Sequence, residues 1–143
     1  MKFKYLSLLF LTFALGVSLV WWNESYRITS EKINQLIEKE IPQEATFAQV
    51  ESFLDSHNIP HSDAPYSIYM SYPNRLDQIP IDSDFENNPK LDGKRSRIKT
   101  LVGAIIRNTE QGLFMSWGIS LRFYFDEQEN LVEYTVEKYS TGM

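Results

Sequence analysis

Gly118-Ile119-Ser120-Leu121-Arg122-Phe123-Tyr124-Phe125 decides the fold. Ile119, Leu121, Phe123 and Phe125 alternate with Ser120, Arg122 and Tyr124, the period of two by which a strand buries one face. Asp126-Glu127-Gln128-Glu129-Asn130 supplies a turn. Leu131 to Tyr139 then returns with Val132, Tyr134 and Val136 inward and Glu133, Thr135 and Glu137 outward. This reads as an antiparallel hairpin.

Working back from the hairpin, Arg97 to Arg107 forms another strand through Ile98, Leu101, Val102, Ile105 and Ile106, and Ser67 to Tyr72 a further one, closed by Pro73. Between them, Asn74 to Lys94 is polar and broken by Pro80, Pro89 and Gly93; it reads either as a mobile loop or as an Ω-type loop laid over the sheet. Before the strands the period becomes helical. Ser30 is placed as an N-cap, and Ile33, Leu36, Ile37 and Ile41 fall on one stripe that Pro42 ends. Thr46 with Gln49 three residues on fits a capping box. Phe47, Val50, Phe53 and Leu54 come next, and this second helix should end near His57-Asn58. Two helices before three or four antiparallel strands predict an α+β fold, with the helices packed on one sheet face.

The N-terminus carries a different signal. Lys2 and Lys4 precede an uncharged apolar run from Tyr5 to Trp22, which as a helix spans roughly 27 Å, close to a bilayer's hydrocarbon core. Two readings compete. As an anchor, residues 5–22 cross a membrane with the N-terminus cytoplasmic, and Trp21-Trp22 lie at the outer interface. As a signal peptide, the chain is cut after Ala14-Leu15-Gly16 and released. Both place the remainder of the chain on the extracytoplasmic side. Residues 1–22 are thus read as anchor or signal, 23–40 as a stalk or first helix, and 41–143 as a small domain with a polar loop at 74–95.

Composition narrows the partners. Removing Lys2 and Lys4 from the 14 basic residues leaves 12 against 19 acidic, a balance of −7. Such a balance argues against nucleic acid or anionic lipid headgroups as the main partner, since both need a basic footprint. The chain has no cysteine, so neither lipidation at a thiol nor a disulfide framework applies.

Ile41-Pro42-Gln43-Glu44-Ala45-Thr46-Phe47-Ala48-Gln49-Val50-Glu51-Ser52-Phe53-Leu54, taken with the closing hairpin Leu121–Asp126 and Leu131-Val132, resembles the SmpA/OmlA-type outer-membrane-assembly lipoproteins and the related β-lactamase-inhibitor-protein fold. The family's glycine before the cap is Ala45 here, its glycine after the helix is Asp55, and its lipidated cysteine is absent. The resemblance implies a small extracytoplasmic module that binds other proteins through its sheet and loops, and no catalytic residues.

Chemistry-bearing clusters are few. Asp55-Ser56-His57-Asn58-Ile59-Pro60-His61-Ser62-Asp63 gathers two imidazoles and two carboxylates, but Pro60 keeps His57 and His61 off one helical face. A metal-dependent hydrolase would need this segment to fold against the carboxylates of Asp82–Asp92. Asp82-Ser83-Asp84 opens like a calcium loop, yet Asn87 and Gly93 stand where the turn glycine and bidentate glutamate belong. No nucleophile elbow or phosphate loop is present, and neither a cofactor nor a metal is expected. The apolar segment Leu113-Phe114-Met115-Ser116-Trp117 reads either as core or as an aromatic anchor for a partner. On the second reading Phe114 and Trp117, extended by Arg122, Tyr124 and Tyr139, make the binding patch. The expected function is therefore a non-catalytic, membrane-anchored module binding another envelope protein; the alternatives are a secreted inhibitor-like binder and the hydrolase.

Overall fold

The computed structural model describes residues 28–71, 78–80, 83–111 and 115–142. The apolar run of residues 5–22 and its reading as an anchor lie outside them. Among the described residues no helix is long and apolar enough to cross a membrane.

Helix α1 spans Ser30–Glu40 and α2 spans Phe47–Ser56. The α1 cap is Thr29, one residue before the expected Ser30: Thr29 is extended, and its hydroxyl accepts the Lys32 N–H at 3.3 Å. At α2, Gln49 Oε1 accepts the Thr46 N–H at 2.9 Å, the reach-back arm of a capping box. The α2 exit needs no glycine. Asn58 takes the left-handed conformation (φ 52°), the Ile59 N–H bonds to the Leu54 carbonyl at 2.9 Å, and the Asn58 N–H to Asp55 at 3.0 Å. That is a Schellman closure, with the Ile59 and Leu54 side chains joined in the core beneath it.

Strands β1 (Tyr66–Ser67), β4 (Thr100–Gln111), β5 (Met115–Phe125) and β6 (Leu131–Gly142) form one antiparallel sheet in the order β1-β4-β5-β6. The single strand expected over Ser67–Tyr72 is split at Ile68, which turns inward and is 1% exposed. Tyr69–Ser71 (β2) pairs instead with Gln78–Pro80 (β3) in a two-stranded ribbon of its own. The fold is α+β.

Both faces of the sheet are covered. On the helix face Ile33, Ile37, Val50 and Leu54 pack against Val102, Leu121 and Phe123. On the far face Ile68, Phe85, Leu91 and Ile98 pack against Leu101 and Tyr124. The segment that supplies this second core is the polar stretch of the 74–95 region: a short helix α3 (Ser83–Asn87), then 3-10 turns at Pro89–Leu91 and Arg95–Arg97. Of the two readings open for that stretch, the described part matches the cover over the sheet. Arg95 holds it together, donating to the Phe85 carbonyl at 2.9 Å, the Asn88 carbonyl at 2.8 Å and Asp92 at 2.6 Å. Asn88 donates to Glu137 at 3.2 Å and Lys94 pairs with Glu133, fastening the cover to β6.

One inward expectation changes. Tyr124 pairs with Glu133 while Phe125 pairs with Leu131, so Val132 is the extra residue of a β-bulge. The bulge breaks the period of two, and Val132 packs into the far-face core while Tyr134 and Val136 stay on the helix face.

Candidate functional site

The described residues of the proposed aromatic patch, Trp117, Arg122, Tyr124 and Tyr139, do not form one surface. Tyr124 is 1% exposed, its ring 5.9 Å from Phe85 beneath the cover. Trp117 shares the parity of Ile119 and so lies on the helix face, with Lys138 Nζ 4.6 Å from its ring centroid. Arg122 and Tyr139 are on the far face. Arg122 bonds Glu137 at 2.8 Å, and Tyr139 lies over Gly118, leaving no room there for a side chain. Phe114 lies outside the described residues. The strand's own alternation divides the set, because odd and even positions of β5 look in opposite directions.

The Gly118–Tyr139 contact gives a test. A Cβ at Gly118 would stand 2.4 Å from the Tyr139 ring. Gly118→Ala is expected to cost about 1–3 kcal/mol, the usual range for overpacking. In a Tyr139→Ala background the same change should cost close to nothing. Equal costs in both backgrounds, by urea denaturation, would disprove the contact.

The two histidines are brought near carboxylates, but separately. His57 Nε2 bonds Glu40 at 2.8 Å, joining the C-terminal ends of α1 and α2, and its ring lies 4.8 Å from that of Phe53. His61 Nε2 meets Asp55 at 3.1 Å, and its Nδ1 faces the Ser62 carbonyl at 2.9 Å. Among the described residues no cluster of three or more histidines or carboxylates is placed to hold a metal. The segment of residues 55–63 runs along β4, with a bridge from His61 to Ala104, whereas the 83–97 cover is fastened to β6. Among the described residues, then, the two segments that the hydrolase alternative would bring together are held on different strands; Asp82 lies outside them.

The Ser62 carbonyl beside it raises the His61 pKa above its ordinary value near 6.5; partial burial opposes this and Asp55 adds to the rise. With the folded-state value raised, the protonated ring stabilises the fold fully below about 6.5, and that contribution is lost as pH climbs through the higher folded-state value. An NMR titration should place the His61 midpoint above that of a peptide histidine, and Asp55→Asn should lower it. An unchanged midpoint in Asp55→Asn would remove the pair's role.

The concave feature of interest lies elsewhere, at the β4 edge. A groove of about 1280 Å³ opens between α1, the loop of residues 57–62 and β4, and it starts at Ile28. Ile33, Leu36, Ile106 and Leu121 line its helix-face side; Tyr66 and Ile105, each 40% exposed, line the side around the edge. Its basic and imidazole side chains are Lys32, Arg107, Arg122, His57 and His61. No carboxylate is among the described residues lining it, in a chain with 19 acidic residues. Sequence reasoning gave no sign of this site, because its lining comes from positions spread between 28 and 122 and makes no motif.

Comparisons with protein-family models, curated proteins and solved structures give no match.

Proposed function

We propose that this chain is a non-catalytic binding module of the cell envelope, tethered by residues 5–22, that holds an envelope component in the groove at the β4 edge. The observation that carries this is the groove's composition: an apolar floor with basic and imidazole side chains and no carboxylate among its described lining residues, on an acidic domain. Ligand sites are mostly apolar concavities with a few placed polar groups, and this one fits that description. The resemblance of the capped helix and closing hairpin to extracytoplasmic binding modules supports the same class.

Two measurements test the parts separately. Fractionation with intact mass should find the full-length chain in the membrane pellet; a shorter soluble chain beginning near Val17 would overturn the tether. A photo-crosslinking amino acid at Ile105 should form an adduct in native membranes that the same group at Glu127, on the exposed β5–β6 turn, does not. Equal labelling at both positions would overturn the groove as the binding surface.

A further inference from the structure

We propose that the β4–β5 end of the sheet, through Met115 and Trp117, rests in the boundary between headgroups and acyl chains of the bilayer from which the chain emerges. This rests on the tethered reading for the membrane beside it, while the uncovered stripe it uses stands without that reading.

The apolar stripe of β5 runs farther than the helices cover it. Met115, Trp117, Ile119, Leu121 and Phe123 share a parity and so one face. Burial falls along them: Phe123, Leu121 and Ile119 are enclosed, Trp117 is half-buried, and Met115 is 45% exposed. The reason is where α1 begins. Ile28 and Glu31 line a small cavity with Thr109, Ile119 and Lys138, so α1 starts level with Ile119. From there it runs to the other end of the sheet, where the Ala45 carbonyl accepts the Leu131 N–H at 2.7 Å. Four residues from Ile119 to Met115, at about 3.4 Å each, leave roughly 14 Å of β5 standing beyond the helix. The cover stops short as well. Its holds on β6 are Glu133, Tyr134 and Glu137, which pair no farther along β5 than Ser120.

The path of the chain names the occupant. The described residues begin with Ile28, itself 46% exposed, and Ile28 lies at this end of the sheet. Trp22, the last of the apolar run, is six Cα steps earlier, a reach of at most roughly 22 Å. Residues 5–22 in a bilayer therefore hold this end of the domain near the membrane, and not the turn of residues 126–130. An exposed apolar stripe that includes a tryptophan suits such a boundary, where the indole body is apolar and its N–H meets water. Lys138 Nζ stands 4.6 Å from the Trp117 ring centroid. A lysine so placed keeps its ammonium among the headgroups and its hydrocarbon stem in the boundary.

Charge does not drive this contact. Glu31 lies within reach of the Lys138 charge, and the chain as a whole is acidic, so an anionic surface gains nothing here. The gain is the burial of Met115 and Trp117. The contact should therefore form on zwitterionic lipid and survive high salt.

The chain has no cysteine, so Met115→Cys and Glu127→Cys each carry one environment-sensitive fluorophore, at exposed positions on opposite ends of the sheet. Circular dichroism verifies that both variants fold. The full chain is reconstituted in phosphatidylcholine liposomes, with doxyl-labelled phosphatidylcholine or aqueous iodide as quencher. At position 115 a blue-shifted emission is expected, quenched by the lipid, protected from iodide and unchanged at high salt. At position 127 the reverse is expected. Iodide quenching at 115 equal to that at 127 would overturn the proposal. Shielding of 115 from both quenchers would overturn it too, because the stripe would then be covered by protein, whether residues 23–27 or a second copy. Failure of the tether would show separately, as a chain that does not float with the liposomes. The same label is then read with vesicles added to the soluble chain: lipid quenching at 115 upholds the docking surface, and its absence overturns it.

Discussion

Phe123→Ala should destabilise the domain by about 3–5 kcal/mol, the cost of emptying a large buried aromatic site. Phe123 is fully buried at the centre of β5, paired with Val102 on one side and Tyr134 on the other. Its ring lies 6.2 Å from that of Tyr134, and its cluster includes Val50 and Leu54 from α2. Strand neighbours held by backbone pairing cannot collapse into the space, so the cavity persists. Against a total stability of roughly 5–15 kcal/mol for a domain, such a loss moves the fold close to its unfolding midpoint. Urea denaturation followed by circular dichroism reads it directly. A loss below about 1.5 kcal/mol would mean that the two helices do not seal this face as described.

Leu91→Ala should lose about 2–5 kcal/mol, but in a different place. Leu91 is fully buried and belongs with Phe85 and Ile98 to the core that holds the cover on the far face. The cover's other holds are partly exposed polar contacts, Asn88 to Glu137 and Lys94 to Glu133, and contacts of that kind contribute little each. Hydrogen exchange should therefore accelerate over residues 85–98 while amides of Val50–Leu54 and Ile119–Phe123 keep their protection. A uniform loss of protection across both faces would show that the two cores unfold as one unit, and would defeat the idea of a separately held cover.

The helix-face half of the molecule is readable in the sequence because its burial is periodic. Ile119, Leu121 and Phe123 alternate cleanly, and Val50 and Leu54 sit four apart behind a Thr46/Gln49 start signal. The far-face half is not, because Phe85, Leu91 and Ile98 are isolated apolar residues in a polar stretch with no repeat. Without the cover in view, Tyr124 reads as an outward position on β5, and so as part of a surface patch. Val132 reads as a helix-face residue because a bulge leaves no mark in a run of alternating residues. Gln78–Pro80 and the break at Ile68 escape for a related reason: strands of two or three residues are too short to show a period. The groove is invisible for a geometric reason. Its lining is assembled by packing α1 and the 57–62 loop against β4, and no local stretch of sequence records that meeting.

The fastening of the cover to β6 also governs how copies of this chain behave beside one another. β6 runs twelve residues and ends the sheet, and a strand that long at a margin is a template on which a second copy can zip and a stack can grow. On the tethered reading proposed above, molecules in one bilayer would meet in two dimensions, where such collisions are frequent. Asn88, Lys90 and Lys94 reach onto Glu137, Tyr134 and Glu133 from outside the strand and act as a fender along it. Clipping the cover by proteolysis would thus turn a well-behaved neighbour into a self-adhesive one, with fibrous assembly as the visible product.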